Sequence, residues 1–354
     1  MTDSDHDIAS TLRIIDANAN RTLEGLRVVE DYLRFHRDDA HLSGLCKAIR
    51  HQVSETLANH FPNRATCRST ETDVGTSIET NSEYQRMDYA TVIAANLGRV
   101  KEALRTLEEY SKLIAEPPAR AFEAIRYQAY KLEKAVGHLE KSCAKLSEAK
   151  LYVLVDLRYE SGDAFSCRVE QMCKAGVDVI QLRDKAATDR QLIEAGRELR
   201  RTLSQLDRKV LFIMNDRPDL ARVVKADGVH VGQDEMPVAD VRSIVGPSTI
   251  IGVSTHSLEQ ARAAVLDGAD YIGVGPVFPS QTKDFDEFVG TELVASIAAE
   301  IALPSFAIGG ISLERLQQVV DCGAEHVAVS EAIWGAKDVV EASGSFHSVL
   351  KELA

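Results

Sequence analysis

No apolar stretch of the 354-residue chain reaches the length of a membrane-spanning helix, so no membrane segment is expected. Positive charge is in deficit. The formal net charge is −13, which argues against nucleic acid as a partner and means that an anionic substrate must find a locally basic surface against the overall field. Paired cysteine spacing is absent: Cys46, Cys67, Cys143, Cys167, Cys173 and Cys322 stand apart, so reduced thiols are expected and neither a zinc site nor a disulfide framework. The Gly-x-x-x-x-Gly-Lys-Ser/Thr phosphate loop is missing too, and a nucleotide would need another device. The first residues, Met1 to Asp7, are acidic, unlike a signal peptide, so a cytoplasmic enzyme is expected. What remains is an ordinary chain with 45% hydrophobic residues, enough for two sizeable cores.

From Leu151 onward one unit recurs: a short apolar run, a polar or glycine-rich break, then an amphipathic helical stretch. The runs are Leu151–Val155, Val177–Leu182, Val210–Met214, Gly228–Val231, Ile250–Val253, Tyr271–Val274, Phe306–Ile308 and His326–Val329. Such runs read as parallel strands with crossover helices. Eight of them predict a (β/α)8 TIM barrel near the lower limit of that fold's usual size, about 200 residues.

The active site of such a barrel is built at the C-terminal ends of its strands. Those ends carry Gln181, Arg183 and Lys185, then Asn215 and Asp216, then His230, Gln233, Asp234 and Glu235. Ser254, Thr255 and His256 follow, then Gly275 to Lys283, Gly309-Gly310, and Ser330 with Glu331. Gln181, Arg183 and Lys185 alternate along one strand and so share a face, which places two cations and an amide around something anionic. With Lys283 the cations number three, enough for a pyrophosphate. Asp216 with Asp234 or Glu235 offers hard oxygens on adjacent strands, which suits one Mg²⁺ that keeps several waters and bridges to phosphate. Gly309, Gly310 and the backbone at Ser330, ahead of a final helix, suit a second anion. His230 and His256 fit either catalysis or the orientation of strand ends, and the glycines fit either an anion nest or a tight turn.

Six segments taken together resemble thiamine-phosphate synthases: Gln181-Leu182-Arg183-Asp184-Lys185, Asn215-Asp216, Gly228 to Gln233, Gly252 to His256, Gly273 to Lys283, and Ala307 to Ile311. The resemblance covers residues 150 to 340. It implies that hydroxymethylpyrimidine diphosphate and a thiazole phosphate, with or without a carboxylate, are coupled to thiamine phosphate. Pyrophosphate leaves first, and the thiazole nitrogen captures the resulting cation. Position by position, Gln181 to Lys185, Asn215, Ser254 and Lys283 would hold the pyrimidine diphosphate, with Arg183, Lys185, Lys283 and Ser254 acting in catalysis. Asp216 and Glu235 would bind Mg²⁺. Ser280, Gln281, Thr282, Gly309, Gly310, Ser330 and Glu331 would hold the thiazole phosphate. The chain departs from the family pattern at Glu235, where Asp is usual, at Ser280 for Thr, and at Glu331, where Ser is frequent. The implied partners are small phosphorylated molecules; a homo-oligomer stays open. A thiazole tautomerase or a phosphate-ligand sensor on the same barrel are the alternatives; the three cations and the Asn215-Asp216 pair favour the synthase.

Residues 1 to 148 are of another kind. Helical periodicity, with breaks near Pro62-Asn63, Asp73–Thr76 and Pro117-Pro118 and a helix from about Ala119 to Leu146, predicts an all-helical domain, joined to the barrel (149 to 354) near Ser147–Lys150. Within it Asn18-x-x-Arg21-x-x-Glu24-Gly-Leu-Arg27-x-x-Glu30-Asp-Tyr32 recurs as Asn96-x-x-Arg99-x-x-Glu102-Ala-Leu-Arg105-x-x-Glu108-Glu-Tyr110. Two related helices about a pseudo-two-fold axis are expected. One or more of Arg21, Arg27, Arg99 and Arg105 is expected either to pair along the helix surface or to face an inner pocket, bracing carboxylates or binding phosphate, that Asp73 to Thr76 could close. The segment resembles the domain fused to some bacterial thiamine-phosphate synthases, a family associated with phosphorylating hydroxymethylpyrimidine phosphate. A docking or dimerisation module is the other reading.

Overall fold

The computed structural model describes residues 3–68, 86–279 and 288–352. Two compact units divide between Gly137 and His138.

The first unit is helical: α1 (Asp3–Phe35), α2 (Ala40–His60), α3 (Tyr89–Ser111) and α4 (Glu116–Leu146) as far as Gly137. Capping fixes two of the starts. Asp39 accepts from the Leu42 amide at 2.6 Å ahead of α2, and Asp88 with Thr91 forms a capping box ahead of α3. The break expected near Pro117-Pro118 falls just ahead of them, between Ser111 and Glu116, and both prolines lie in the first turn of α4, where a missing N–H costs nothing. Leu26, Leu33, Ile49, Leu97, Leu104 and Phe122 are among the side chains that fill the core.

The repeat extends further than the two matched stretches. Ala48-Ile49-Arg50-x-Gln52 on α2 matches Ala124-Ile125-Arg126-x-Gln128 on α4. Buried Glu30 is gripped by Arg50 at 3.0 Å, and its counterpart Glu108 by Arg126 at 2.8 Å. Gln128 donates to its own counterpart, Gln52, at 3.0 Å. A contact between equivalent residues is what an approximate two-fold axis demands. The arginines singled out in the sequence are all exposed; Arg27 and Arg105 lie along their own helices against Glu30 and Glu108. Arg50, Arg126 and, toward buried Asp16, Arg64 face inward instead, and an inner pocket around Arg21, Arg27, Arg99 and Arg105 does not form among the described residues. Asp73 to Thr76 lie outside them.

The second unit is a closed eight-stranded barrel, parallel throughout, in the order β1 (Leu151–Val155), β2 (Val179–Leu182), β3 (Leu211–Asn215), β4 (Gly228–Val231), β5 (Ile250–Thr255), β6 (Tyr271–Val274), β7 (Ser305–Ile308) and β8 (His326–Val329). The last turns of α4 belong to it. Leu146 and Ala149 join Tyr152, Val179, Leu211, Ile250, Tyr271 and Phe306 in the inner core; Ser142 donates to Asp270 at 3.3 Å and Lys145 to the Ser248 carbonyl at 2.9 Å. The helix end therefore closes the N-terminal mouth of the barrel. That packing is why the units divide inside α4 and not at Ser147–Lys150, where the helical pattern ends. At the same mouth Asp178, Asp227 and Asp270 each accept from a strand amide and from an arginine, Arg208, Arg200 and Arg242. The chemistry is left to the opposite rim.

Candidate active site at the C-terminal rim

The β2 end behaves as its alternation predicts for only part of its length. Gln181 points inward and is 3% exposed; Leu182 is fully buried and offers no side chain to a ligand. Arg183 continues the ladder through its amide to the Val155 carbonyl at 2.8 Å. Beyond it the strand ends, so Lys185 reaches the mouth from a loop and not from a strand face. Asp184 builds that loop: its carboxylate accepts from the amides of Leu157, Ala186 and Ala187 at 2.9 to 3.1 Å, which leaves little of it for a ligand.

Lys185 draws the acidic residues together. Its Nζ lies 3.5 Å from Asp216 Oδ2 and 3.6 Å from Glu235 Oε1, while Asp234 is exposed. Two carboxylates from adjacent strand ends thus converge on one cation, at distances longer than a direct charged hydrogen bond. No group of three or more His, Cys, Asp or Glu side chains converges among the described residues. Two carboxylates with room for waters and phosphate oxygens is nonetheless the donor set a Mg²⁺ accepts. Asp216 adopts a left-handed backbone (φ 57°), a conformation unfavourable for a residue with a Cβ and held here by its amide bond to the His230 carbonyl at 2.8 Å. Asn215 precedes it at the end of β3.

A second group lies deeper. His230 Nε2 is 2.9 Å from Ser254 Oγ, and His230 Nδ1 is 3.0 Å from the Tyr271 hydroxyl. Tyr271 is 3.0 Å from the Tyr152 hydroxyl, which accepts from Gln181 Nε2 at 2.6 Å. Gln181 Oε1 is buried with no partner among the described residues. Burial, and then the charge of Arg183, pushes the His230 pKa down to about 4, so the ring is neutral at pH 7. Tyr152 and Tyr271 were not singled out in the sequence, where they read as apolar members of strands. The usable signal was the trio Gly228, Gly252 and Gly273 on consecutive strands. A Cβ at Gly252 would lie 2.0 Å from the Tyr271 ring, so the missing side chain makes the space for it. His256 has a structural task, bonding the Gly275 carbonyl through Nδ1.

The region expected to hold the thiazole phosphate is partly described. Gly309 and Gly310 have φ of 104° and 62° and lie so close to Pro276, Phe278 and Pro279 that no Cβ would fit. The turn therefore requires these glycines, and their backbone lies at the rim. Ser330 donates to the Leu154 carbonyl at 3.1 Å and so turns its hydroxyl to the barrel. The helix after it is a single turn, Glu331–Trp334, and offers backbone amides with little dipole behind them. Glu331 accepts from the Tyr159 hydroxyl and has Arg158 at 3.9 Å, which offsets its charge. Ser280, Gln281, Thr282 and Lys283 lie outside the described residues.

Residues 151–333 match the family described as thiamine monophosphate synthase, and residues 13–135 match the ThiD2 family. A "thiamine-phosphate synthase" of Rhodopirellula baltica is 44% identical over 92% of this chain and 88% of its own length. One of Nostoc punctiforme, of the same name, is 39% identical over 92% and 90%. Among solved structures, a thiamine phosphate pyrophosphorylase from Pyrococcus furiosus is 35% identical and covers 58% of this chain and 97% of its own, with a TM-score of 0.52.

Proposed function

The chain belongs to the thiamine monophosphate synthase family, and from that membership we propose how it joins hydroxymethylpyrimidine diphosphate to a thiazole phosphate to give thiamine phosphate and pyrophosphate. The observation that carries the assignment of the site is the convergence of Lys185, Asp216 and Glu235. The bond between the pyrimidine methylene carbon and the pyrophosphate oxygen breaks first, with its electrons leaving on the oxygen. The thiazole nitrogen then gives its lone pair to the methylene carbon. No protein nucleophile is needed.

Arg183, Lys185 and Lys283 meet the negative charge that gathers on the leaving group, and Asn215 and Ser254 add hydrogen bonds, while Gln181, turned to the Tyr152 hydroxyl, supports the site from below. Contacts that strengthen as charge develops lower the barrier; equal binding of substrate and transition state would not. Asp216 and Glu235 would hold Mg²⁺, which supplies Lewis-acid neutralisation of the departing oxygens when bound. With those carboxylates so engaged, Lys185 would be free to turn to phosphate. Gly309, Gly310 and the backbone of Ser330 and Glu331, with Ser280, Gln281 and Thr282, would take the thiazole phosphate and keep its ring nitrogen in line. No described helix is long and apolar enough to cross a membrane, and we place the enzyme in the cytoplasm with its small phosphorylated substrates. The purified full chain with both substrates and Mg²⁺ should release pyrophosphate and thiamine phosphate one for one. Product isomerisation without pyrophosphate would show a tautomerase, and no pyrophosphate at all would sink the reading.

For the helical unit the family match supports phosphorylation of hydroxymethylpyrimidine phosphate as the reading. The full chain given that monophosphate, ATP and the thiazole phosphate should then form thiamine phosphate. Product only when the diphosphate is supplied ready-made would leave the unit a docking module.

A further inference from the structure

Barrel interiors of this type are filled by branched aliphatic side chains. Here two phenols and an imidazole stand inside, with Tyr152 2% and Tyr271 1% exposed. A buried hydroxyl is costly unless it is hydrogen-bonded, and the chain gives up a side chain at Gly252 to admit one of them. Something beyond filling volume accounts for five linked polar groups running from Gln181 through Tyr152, Tyr271 and His230 to Ser254.

Each hydroxyl and the ring has one hydrogen to give, so once Gln181 donates at one end the order of donation is shared along the whole run. Gln181 Nε2 donates to Tyr152, and the Tyr152 hydrogen is then free for Tyr271. Tyr271 donates to Nδ1 of a neutral His230, and His230 carries its hydrogen on Nε2 toward Ser254. The Ser254 hydrogen is left over at the outer end, and Gln181 Oε1, without a partner, is the acceptor left over at the inner end. In the opposite order Ser254 would spend its hydrogen on the ring and show an anion only lone pairs. We infer that Tyr271, backed by Tyr152, is a positioning residue that holds the His230 hydrogen on Nε2 and so makes Ser254 a donor toward the leaving pyrophosphate. Neither phenol touches substrate. With phenylalanine at 271 both tautomers of the ring become available, and Ser254 donates only part of the time.

The kinetic part of the inference rests on the synthase reading; the tautomer does not. Nitrogen-15 spectra of the histidine-labelled full chain at pH 7 should show His230 with hydrogen on Nε2, and a wild-type ring carrying it on Nδ1 overturns the inference even if the chain released no pyrophosphate. Tyr271→Phe should give a mixture of tautomers and a kcat lower by about 10-fold, with KM for both substrates within about twofold. Because Tyr271 acts through Ser254, the double variant Tyr271→Phe, Ser254→Ala should be no slower than Ser254→Ala alone. A wild-type kcat in Tyr271→Phe, or losses that multiply in the double variant, contradicts the inference. If Tyr271→Phe does not fold, Tyr152→Phe, one link further from the ring, should shift the tautomer and kcat the same way to a lesser extent, and no shift there counts against it.

Discussion

The helical unit and the barrel rim both rely on charged side chains, and they use them in opposite ways. Arg126 and Glu108 meet at 2.8 Å with side chains 9% and 5% exposed, and the arrangement recurs at Arg50 and Glu30. Lys185 stands 3.5 and 3.6 Å from its carboxylates with 55% of its side chain exposed. A buried pair has been taken from water and holds together only by close, hydrogen-bonded geometry. An open, long pair keeps its solvation and exchanges a partner cheaply. Short and enclosed marks a pair that holds the fold; long and open marks one that waits for a ligand.

Four experiments press on that contrast, and the single tryptophan helps to separate the units. Trp334 is fully buried in the barrel, so its fluorescence follows the barrel; helical circular dichroism sums both units, and a transition it shows without Trp334 belongs to the helical unit. The largest effect is expected for Lys185→Ala: kcat should fall by about 100-fold or more, with the Trp334 unfolding transition unmoved. Wild-type turnover in that variant would remove Lys185 from the mechanism. Next, Arg126→Ala takes from buried Glu108 its enclosed partner, leaving the half-exposed Arg105 at 2.8 Å, and should cost about 2 kcal/mol in the helical unit, read by circular dichroism. Turnover per folded molecule should not change. A loss below about 0.5 kcal/mol would erase the distinction between the two kinds of pair.

A smaller effect comes from pH. Burial pushes His230 and His326 down to about 4 from 6.5, so between those values the unfolded chain binds more protons than the folded one. Stability must therefore rise with pH across that window, by up to about 1.4 kcal/mol per pH unit for each histidine. Denaturant unfolding followed by Trp334 at pH 5 and pH 7 should show the barrel weaker at pH 5, and His326→Gln should flatten the difference. Equal stability at the two pH values would mean that the rings are not buried neutral. The smallest effect belongs to Arg99→Ala. That side chain is exposed, and neither turnover nor unfolding should move beyond about 0.5 kcal/mol. A large loss there would restore to the outer arginines the role that the structure gives to Arg50 and Arg126.

The barrel was legible in the sequence because parallel strands, buried on both faces, read as continuous apolar runs, and their ends shifted by only a residue or two at β2, β3, β5 and β7. Rim residues were legible because polar groups at strand ends break those runs. The reach of Lys185 was not, since β2 stops at Leu182 and strand alternation says nothing about a loop. Nor was the task of Asp184, whose oxygens turn back to loop amides. The inner chain escaped because period-two alternation says that Tyr152 faces inward but not what faces it; that depends on register, Tyr271 against Gly252 above all. In the helical unit the repeat showed in α1 and α3, where the spacing is constant. It hid in α2 and α4 because the offset shortens there by two residues and the flanking side chains differ.

The rim account stands or falls with the carboxylates beside Lys185. Pyrophosphate release by the full chain should be measured with both substrates over a Mg²⁺ titration, for the wild type and for Asp216→Asn. The account predicts release that rises and saturates with Mg²⁺ in the wild type, and in the variant at least a 10-fold weaker response to the metal. Release independent of Mg²⁺, or an unchanged titration in Asp216→Asn, would contradict it.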